Sequence, residues 1–86
     1  MSELTRLPNI RKTFNDKLEL IGISSEKELK SLGSKDAIIK ISTIENSGSC
    51  INMLYAIEGA IQGIRWHNLN EDIKIELKDF YNSMLK

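Results

Sequence analysis

The chain holds one cysteine, Cys50, and one histidine, His67, the residue types that most often pair in nucleophilic catalysis. A thiolate is favoured near the start of a helix, which is where Cys50 is predicted to lie. Such a pair also needs an orienting group and a pocket, and the surrounding sequence indicates neither. The apolar neighbours Ile51, Met53 and Leu54 are typical of a small core residue at position 50. We therefore predict that Cys50 is buried and that the chain has no catalytic residues.

Metal and cofactor chemistry is not indicated either. One cysteine and one histidine provide too few of the ligands that characterise transition-metal sites in proteins. We predict no metal site and no cofactor.

A second kind of chemistry, contact with phosphate, is suggested by the four residues after Pro8: Asn9, Ile10, Arg11 and Lys12. Proline restricts the residue before it and favours a turn, so these residues are predicted to form a tip and the start of a helix. Cations at a helix start oppose the helix dipole, and a bound phosphate would reverse that disadvantage. The alternative is a structural turn with solvated charges.

A third feature is a polar stripe on the longest apolar segment. At about 100° per residue, Tyr55, Glu58, Gln62 and Arg65 share one side of a helix, and Trp66 follows at its end. Tyr, Trp and Arg are favoured anchors of protein interfaces, so this stripe is a candidate docking surface. The alternative is a polar edge between packed helices, with Glu58 paired to a cation and Trp66 in the core.

These candidates are carried by a predicted central helix at residues 50–65. One broad face of it is apolar, formed by Cys50, Met53, Leu54, Ile57, Ala60, Ile61 and Ile64. Another side is small, and it includes Gly59 and Gly63. Because glycine costs about 1 kcal/mol in a helix interior, two glycines one turn apart predict the close approach of a second helix. We therefore predict a buried helix surrounded by the others.

The remaining segments also show helical periodicity. A helix over residues 11–21 is predicted to end at Gly22, and Ser25 with Glu28 forms a capping box for a short second helix. Ser34, Ser49 and Asn70 are predicted to cap the third, central and last helices, with residues 46–48 as a loop. No segment shows the sustained alternation of a strand. The sequence predicts an all-α compact bundle of about five helices in a single domain covering residues 1–86.

Composition limits the classes of function. The 86 residues include twelve basic and twelve acidic side chains, which counts against strong nucleic-acid binding. A single cysteine suits a reducing compartment, and the N-terminus lacks the pattern of a signal peptide, so a cytoplasmic location is expected. The apolar run of residues 50–64 is too short and too polar to cross a membrane.

The N-terminal half resembles a helix-hairpin-helix unit of the SAM-like kind. The resemblance is carried by Leu7-Pro8-Asn9-Ile10, Leu20-x-Gly22-Ile23 and Glu28-Leu29-x-x-Leu32-Gly33. That family holds a DNA backbone through peptide N–H groups in a Gly-hydrophobic-Gly turn. Here Asn9, Ile10 and Arg11 occupy the turn and both glycines are absent. The resemblance therefore implies the fold and, at most, weak sequence-independent contact with DNA.

The whole chain resembles the C-terminal domain of the TfoX (Sxy) competence regulators. The longest matching run is Asn52-x-Leu54-Tyr55-Ala56-x-Glu58-Gly59-Ala60-x-Gln62-Gly63, followed by Trp66 and Leu69. The resemblance covers roughly residues 4–82. It implies a bacterial, non-enzymatic module from a regulator of DNA-uptake genes that acts by protein–protein contact.

The resemblance also bears on partners. In that family this domain usually follows a separate N-terminal domain, so the resemblance leaves three alternatives: the chain is free-standing, one half of a split regulator, or a truncated part of a longer one. The implied partner is another protein, either a transcription regulator or a separate N-terminal regulator domain. Neither the sequence nor the resemblance predicts an oligomeric state.

Overall fold

The computed structural model describes residues 3–44 and 48–85, and within them all regular structure is helical. A 3₁₀ helix, Glu3–Arg6, precedes the first two α-helices, α1 and α2. A second 3₁₀ helix, Trp66–Asn68, lies between the last two, α4 and α5. The five α-helices are α1 (Lys12–Leu20), α2 (Glu26–Leu32), α3 (Ser34–Ser42), α4 (Ile51–Gln62) and α5 (Glu71–Met84). The prediction of an all-α bundle of about five helices is confirmed, whereas its helix-hairpin-helix character and the single domain stay predictions.

Helix α4 lies in the middle of the molecule. It contacts α2, α3, α5 and the second 3₁₀ helix. Leu54 and Ile57 are completely buried, and Ala56, Gly59 and Ala60 are also inside. The core around them is built from one or two large side chains of each neighbouring element: Leu4, Leu18, Leu29, Ile38, Ile41 and Leu77. Burying a leucine or isoleucine contributes roughly 1.5–3 kcal/mol, so this layer is the main source of stability.

The central helix is shorter than the predicted segment of residues 50–65. It ends at Gln62, because Gly63 adopts φ +78° in the left-handed region. The N–H of Ile64 then donates to the carbonyl of Gly59 at 2.9 Å, and that of Gly63 donates to Ala60 at 3.1 Å. This pair of bonds is a Schellman motif, in which glycine ends the helix. Gly63 is thus a stop signal, and the prediction that it lies inside the helix is wrong.

The start of α4 also differs from the prediction. Cys50, and not Ser49, stands at the N-cap position, and its side chain is exposed. The helix begins one residue later than the apolar pattern indicated, which leaves Cys50 outside the packed face. The prediction of a buried cysteine is therefore wrong. The predicted loop covers residues 46–48, of which 46 and 47 lie outside the described residues.

Of the other three predicted N-caps, two are confirmed and one is wrong. Ser25 accepts the N–H of Glu28 at 3.1 Å, and Asn70 accepts that of Asp72 at 2.8 Å, as predicted. Ser34 is the first residue of α3 and not its cap, because Gly33 takes that position at φ +86°. The Ser34 hydroxyl is thereby turned toward α4.

Gly59 is needed for close approach, although not by a second helix. A Cβ at this position would lie 2.6 Å from Asn9 Nδ2, 2.8 Å from the Ile64 carbonyl oxygen and 3.1 Å from the Trp66 Cα. Two of these three atoms belong to the backbone that returns from the end of α4. The small face therefore receives an N-terminal turn and the second 3₁₀ helix.

Candidate functional site

A concave surface lies where the turn after the first 3₁₀ helix meets the segment that follows α4. Residues 8–11 form one wall and residues 65–67 form the other. The cleft has a volume of about 320 Å³, and Ala56 of α4 also lines it. It brings together members of both predicted sites, which lie far apart in the sequence.

Asn9 fixes the two walls to each other. Its Nδ2 donates to the Ile64 carbonyl at 3.0 Å and to the Ala56 carbonyl at 3.3 Å, while its Oδ1 accepts the Trp66 N–H at 3.2 Å. Two of these bonds satisfy backbone groups beyond the end of α4, and the third reaches a carbonyl inside that helix. Asn9 itself has φ +71°, a conformation that asparagine tolerates better than most residues. Asparagine thus adopts here a backbone conformation that usually requires glycine.

An aromatic stack supports the second wall. The ring of Trp66 lies 4.0 Å from that of His67 and 5.8 Å from that of Tyr55, both in stacked geometry. The Tyr55 hydroxyl donates to the Lys74 carbonyl on α5 at 3.4 Å. Trp66 is half-buried and His67 is exposed, so the stack runs from the helices out to the cleft. The alternative interpretation placed Trp66 in the core, and the half-buried ring agrees with it only in part.

The charges in the cleft are of one sign. Arg11 and Arg65 both line it and both are exposed. Within residues 3–44 and 48–85, neither guanidinium has an ion-pair or hydrogen-bond partner. None of the described residues that line the cleft is an aspartate or a glutamate. In a chain of zero net charge, this is a local concentration of cationic groups.

The other two residues of the predicted phosphate site contribute no charge to the cleft. Ile10 is buried, with 4% of its surface exposed, and belongs to the core. Lys12 is exposed and pairs with Asp16 one turn along α1, at 3.6 Å. Arg11 is the N-cap residue of α1, and no side chain caps that helix end. Of the four residues, Arg11 is thus the one cation that reaches the cleft.

Glu58 and Gln62 lie on a different surface from the cleft. Glu58 accepts the buried Ser34 hydroxyl of α3 at 2.7 Å and the Gln62 amide at 2.7 Å. It also lines a separate shallow depression at the start of α3. The polar stripe predicted from the sequence is therefore divided between two faces. Its role as a docking surface stays a prediction.

Cys50 and His67 are separated by the whole of α4. A helix of twelve residues is about 18 Å long, and the two side chains lie beyond its opposite ends. Among the described residues, no group of three His, Cys, Asp or Glu side chains could hold a metal ion. No described helix combines the length and the apolar character that crossing a bilayer requires.

The comparisons with known proteins agree with the resemblance drawn from the sequence. A profile of the TfoX C-terminal domain matches residues 1–81. The chain belongs to this family. No functionally curated protein shows significant similarity to it.

Two crystal structures are closely similar, both described as Listeria monocytogenes proteins without assigned function. The chain is 49% identical to an uncharacterized protein in a triclinic crystal form, with a TM-score of 0.89 over 94% of this chain and 91% of that one. It is also 49% identical to a protein of unknown function in a tetragonal form, with a TM-score of 0.87 over 93% of this chain and 98% of that one. The all-α fold is thus shared with proteins of known structure.

Sequence reasoning missed three residues of the cleft: Pro8, Ala56 and His67. The signal that could have found them was Gly59. A glycine with no space around it marks the place where another segment must pass, and the segments that pass here are the two walls of the cleft.

Proposed function

We propose that the chain is a non-enzymatic regulatory module of the TfoX C-terminal type that acts by binding another protein at the cleft. The observation that carries the proposal is that the Trp66 stack lies beside the guanidiniums of Arg11 and Arg65, which have no partner in the part of the chain that the structure describes. Tryptophan, tyrosine and arginine contribute most of the binding energy in protein interfaces. Membership of a family of regulatory domains supports the same conclusion.

The partner would be a transcription component or a separately encoded N-terminal regulator domain. The module would recruit or position it, and the rigid connection between the two walls would present the anchors without prior ordering. Preorganised anchors reduce the entropy that association costs. Binding to a helical module of this kind needs no chemical step and no cofactor.

The test compares three forms of the chain as bait in a lysate of its own organism. Arg65→Glu reverses a charge inside the cleft, and Lys78→Glu makes the same change at an exposed position of α5. Circular dichroism first confirms that both variants fold. A protein that the wild type and Lys78→Glu retain and Arg65→Glu loses, and that binds again from purified components, supports the proposal. Equal retention by all three forms, or no reconstituted binding, would contradict it.

A second candidate is weak, sequence-independent contact with a DNA backbone. It is favoured by the exposed cations Arg11 and Lys12 at the uncapped start of α1 and by the glycine-like conformation of Asn9. The expected result is a shift of duplex DNA at low salt that disappears with added salt and in the Arg11→Glu and Lys12→Glu variants. The absence of any shift at low salt removes this candidate.

A further inference from the structure

We infer that the partner segment is acidic and that its carboxylate lies between Arg11 and Arg65, with apolar neighbours of that carboxylate against Trp66 and Pro8. This inference rests on the proposed function, since it names the chemistry of the partner at the same cleft. The inference goes beyond the proposed function by assigning a ligand group to two particular side chains.

Charge is the first argument. Four described cations, Lys12, Lys30, Lys35 and Lys74, each have an anionic partner. Arg11 and Arg65 have none among the described residues, and they share one concave surface whose described lining contains no carboxylate. A guanidinium presents several N–H donors in a fixed plane, and a carboxylate accepts two of them at once. The ligand that completes this arrangement is an anion with two oxygens.

The shape of the cleft is the second argument. A volume of about 320 Å³ accommodates one or two side chains and not a long ordered surface. Its walls combine the two guanidiniums with the apolar surfaces of Pro8, Ala56 and Trp66. Such a mixed lining matches a short peptide in which an acidic residue stands beside an apolar one.

The surroundings favour a peptide over a nucleic acid. Beyond His67 the chain turns into α5, whose first turn carries the exposed Glu71 and Asp72. Glu71 lies close to His67, because Lys74 donates to the His67 carbonyl at 3.1 Å and pairs with Glu71 at 3.9 Å. A polyphosphate chain leaving the cleft on this side would meet these carboxylates. A single carboxylate on a peptide would not.

The experiment uses the fluorescence of Trp66, which is the one tryptophan of the chain and lines the cleft. The probe is a short peptide without aromatic residues that alternates Glu with Ala and Leu. Its matched control has Gln in place of every Glu. The expected result is a saturable change in Trp66 emission with the acidic peptide that weakens as salt is added, and no saturable change with the Gln peptide.

Variants of the whole chain locate the binding. Arg11→Gln and Arg65→Gln should each weaken binding of the acidic peptide by about tenfold or more, since each removes a charge-assisted hydrogen bond. Lys78→Gln removes an equal charge at an exposed site on α5 and should leave the affinity unchanged. Circular dichroism checks the fold of each.

Each outcome decides the inference. Equal binding of the Gln peptide, loss of affinity in Lys78→Gln as large as in the arginine variants, or no response at all would overturn it. Tighter binding of oligothymidine or of a DNA duplex than of the acidic peptide would also overturn it and assign the cleft to phosphate. A physiological partner that depends on Arg65 but binds without an acidic segment leaves the proposed function standing and rejects only this inference.

Discussion

Asn9 joins the N-terminal turn to α4 and the segment after it, and its sequence context did not reveal this role. Residues 9–12 were predicted to form a tip and the start of a helix, and the position of the turn was correct. The side chain of Asn9, however, points inward and bonds to three backbone groups, one inside α4 and two in the segment that follows it. Those groups lie about 50 residues further along the chain, which local patterns do not reach. The residue type was informative, since asparagine is one of the few that tolerate a positive φ.

Substitution of Asn9 should separate its two contributions. Asn9→Gly keeps the positive φ but loses the hydrogen bonds, and we expect a loss of about 2 kcal/mol in the free energy of unfolding. Asn9→Ala loses the bonds and also strains the backbone, and we expect a loss of about 3 kcal/mol. Urea unfolding measures both. Equal losses would show that the backbone conformation contributes nothing, and losses near zero would contradict the role of the amide.

Gly59 should be the least replaceable glycine of the chain. In an open helix interior, Gly→Ala would stabilise by about 1 kcal/mol. Gly59→Ala should instead destabilise by about 2 kcal/mol or more, because the added Cβ meets backbone atoms that cannot move aside. Gly63→Ala is the control. Nothing lies within 4 Å of its Cβ position, and its cost should be about 1 kcal/mol from the positive φ alone. Thermal unfolding that ranks the two in the opposite order would refute this.

At the scale of helices, the sequence predicted which faces are buried better than where helices end. The apolar period of α4 continues through Ile64, so periodicity alone extended the helix past its true end. An apolar period shows on which side of a helix the side chains lie, and it does not show where the backbone leaves the helical conformation. Gly22 was recognised as a stop because the apolar pattern ended with it, and it has a positive φ. Gly63 was missed because the pattern did not end there.

The capping box at the start of α2 should make the stability depend on pH. The Glu28 carboxylate accepts hydrogen bonds from the Ser24 N–H at 3.1 Å and from the Ser24 hydroxyl at 3.0 Å, as well as from the Ser25 hydroxyl at 3.2 Å. These bonds, that from the Ser24 N–H first, lower the pKa of Glu28 below its ordinary value. The folded state therefore binds this proton less readily than the unfolded state does, and the carboxylate stabilises the fold.

The sign of this effect fixes the pH window. The stabilisation is complete above the ordinary pKa of glutamate, about 4.3, and is lost as pH falls through the lowered pKa of the folded state. Glu28→Gln should therefore be less stable than the wild type at neutral pH, and the difference should shrink in acid. Glu26→Gln, on the same helix, is the control for loss of charge. A difference between wild type and Glu28→Gln that is constant from neutral to acidic pH would contradict the assignment.

At the scale of the whole molecule, the fold could be predicted and the site only in pieces. The all-α class, the central helix and the family follow from period, caps and a long matching run, which are local properties of the sequence. Arg11 and Arg65 were each predicted as site residues. That they line one cleft depends on the packing of the N-terminal turn against the end of α4, and no local pattern encodes it. The exposure of Cys50 was missed because α4 begins one residue later than the apolar pattern indicated.

The described elements should unfold together. Trp66 lies where the N-terminal turn, α4 and the second 3₁₀ helix meet, so its fluorescence reports on contacts between distant parts of the chain. Far-UV circular dichroism reports on all five helices. We expect both signals to change at the same urea concentration, as in a single cooperative domain. Separate transitions would show that the predicted single domain is wrong.

The arrangement at Asn9 has one more consequence. Replacing its amide by a carboxylate, as deamidation does, exchanges a donor for an oxygen that faces the carbonyls of Ala56 and Ile64. The link between the first turn and the end of α4 would then become a repulsion. The same exchange would put a negative charge at the wall of the cleft beside Arg11, where it would compete with any incoming anion. Deamidation of Asn9 would therefore weaken the contact between the two walls of the cleft and also reduce the affinity of the cleft for anions.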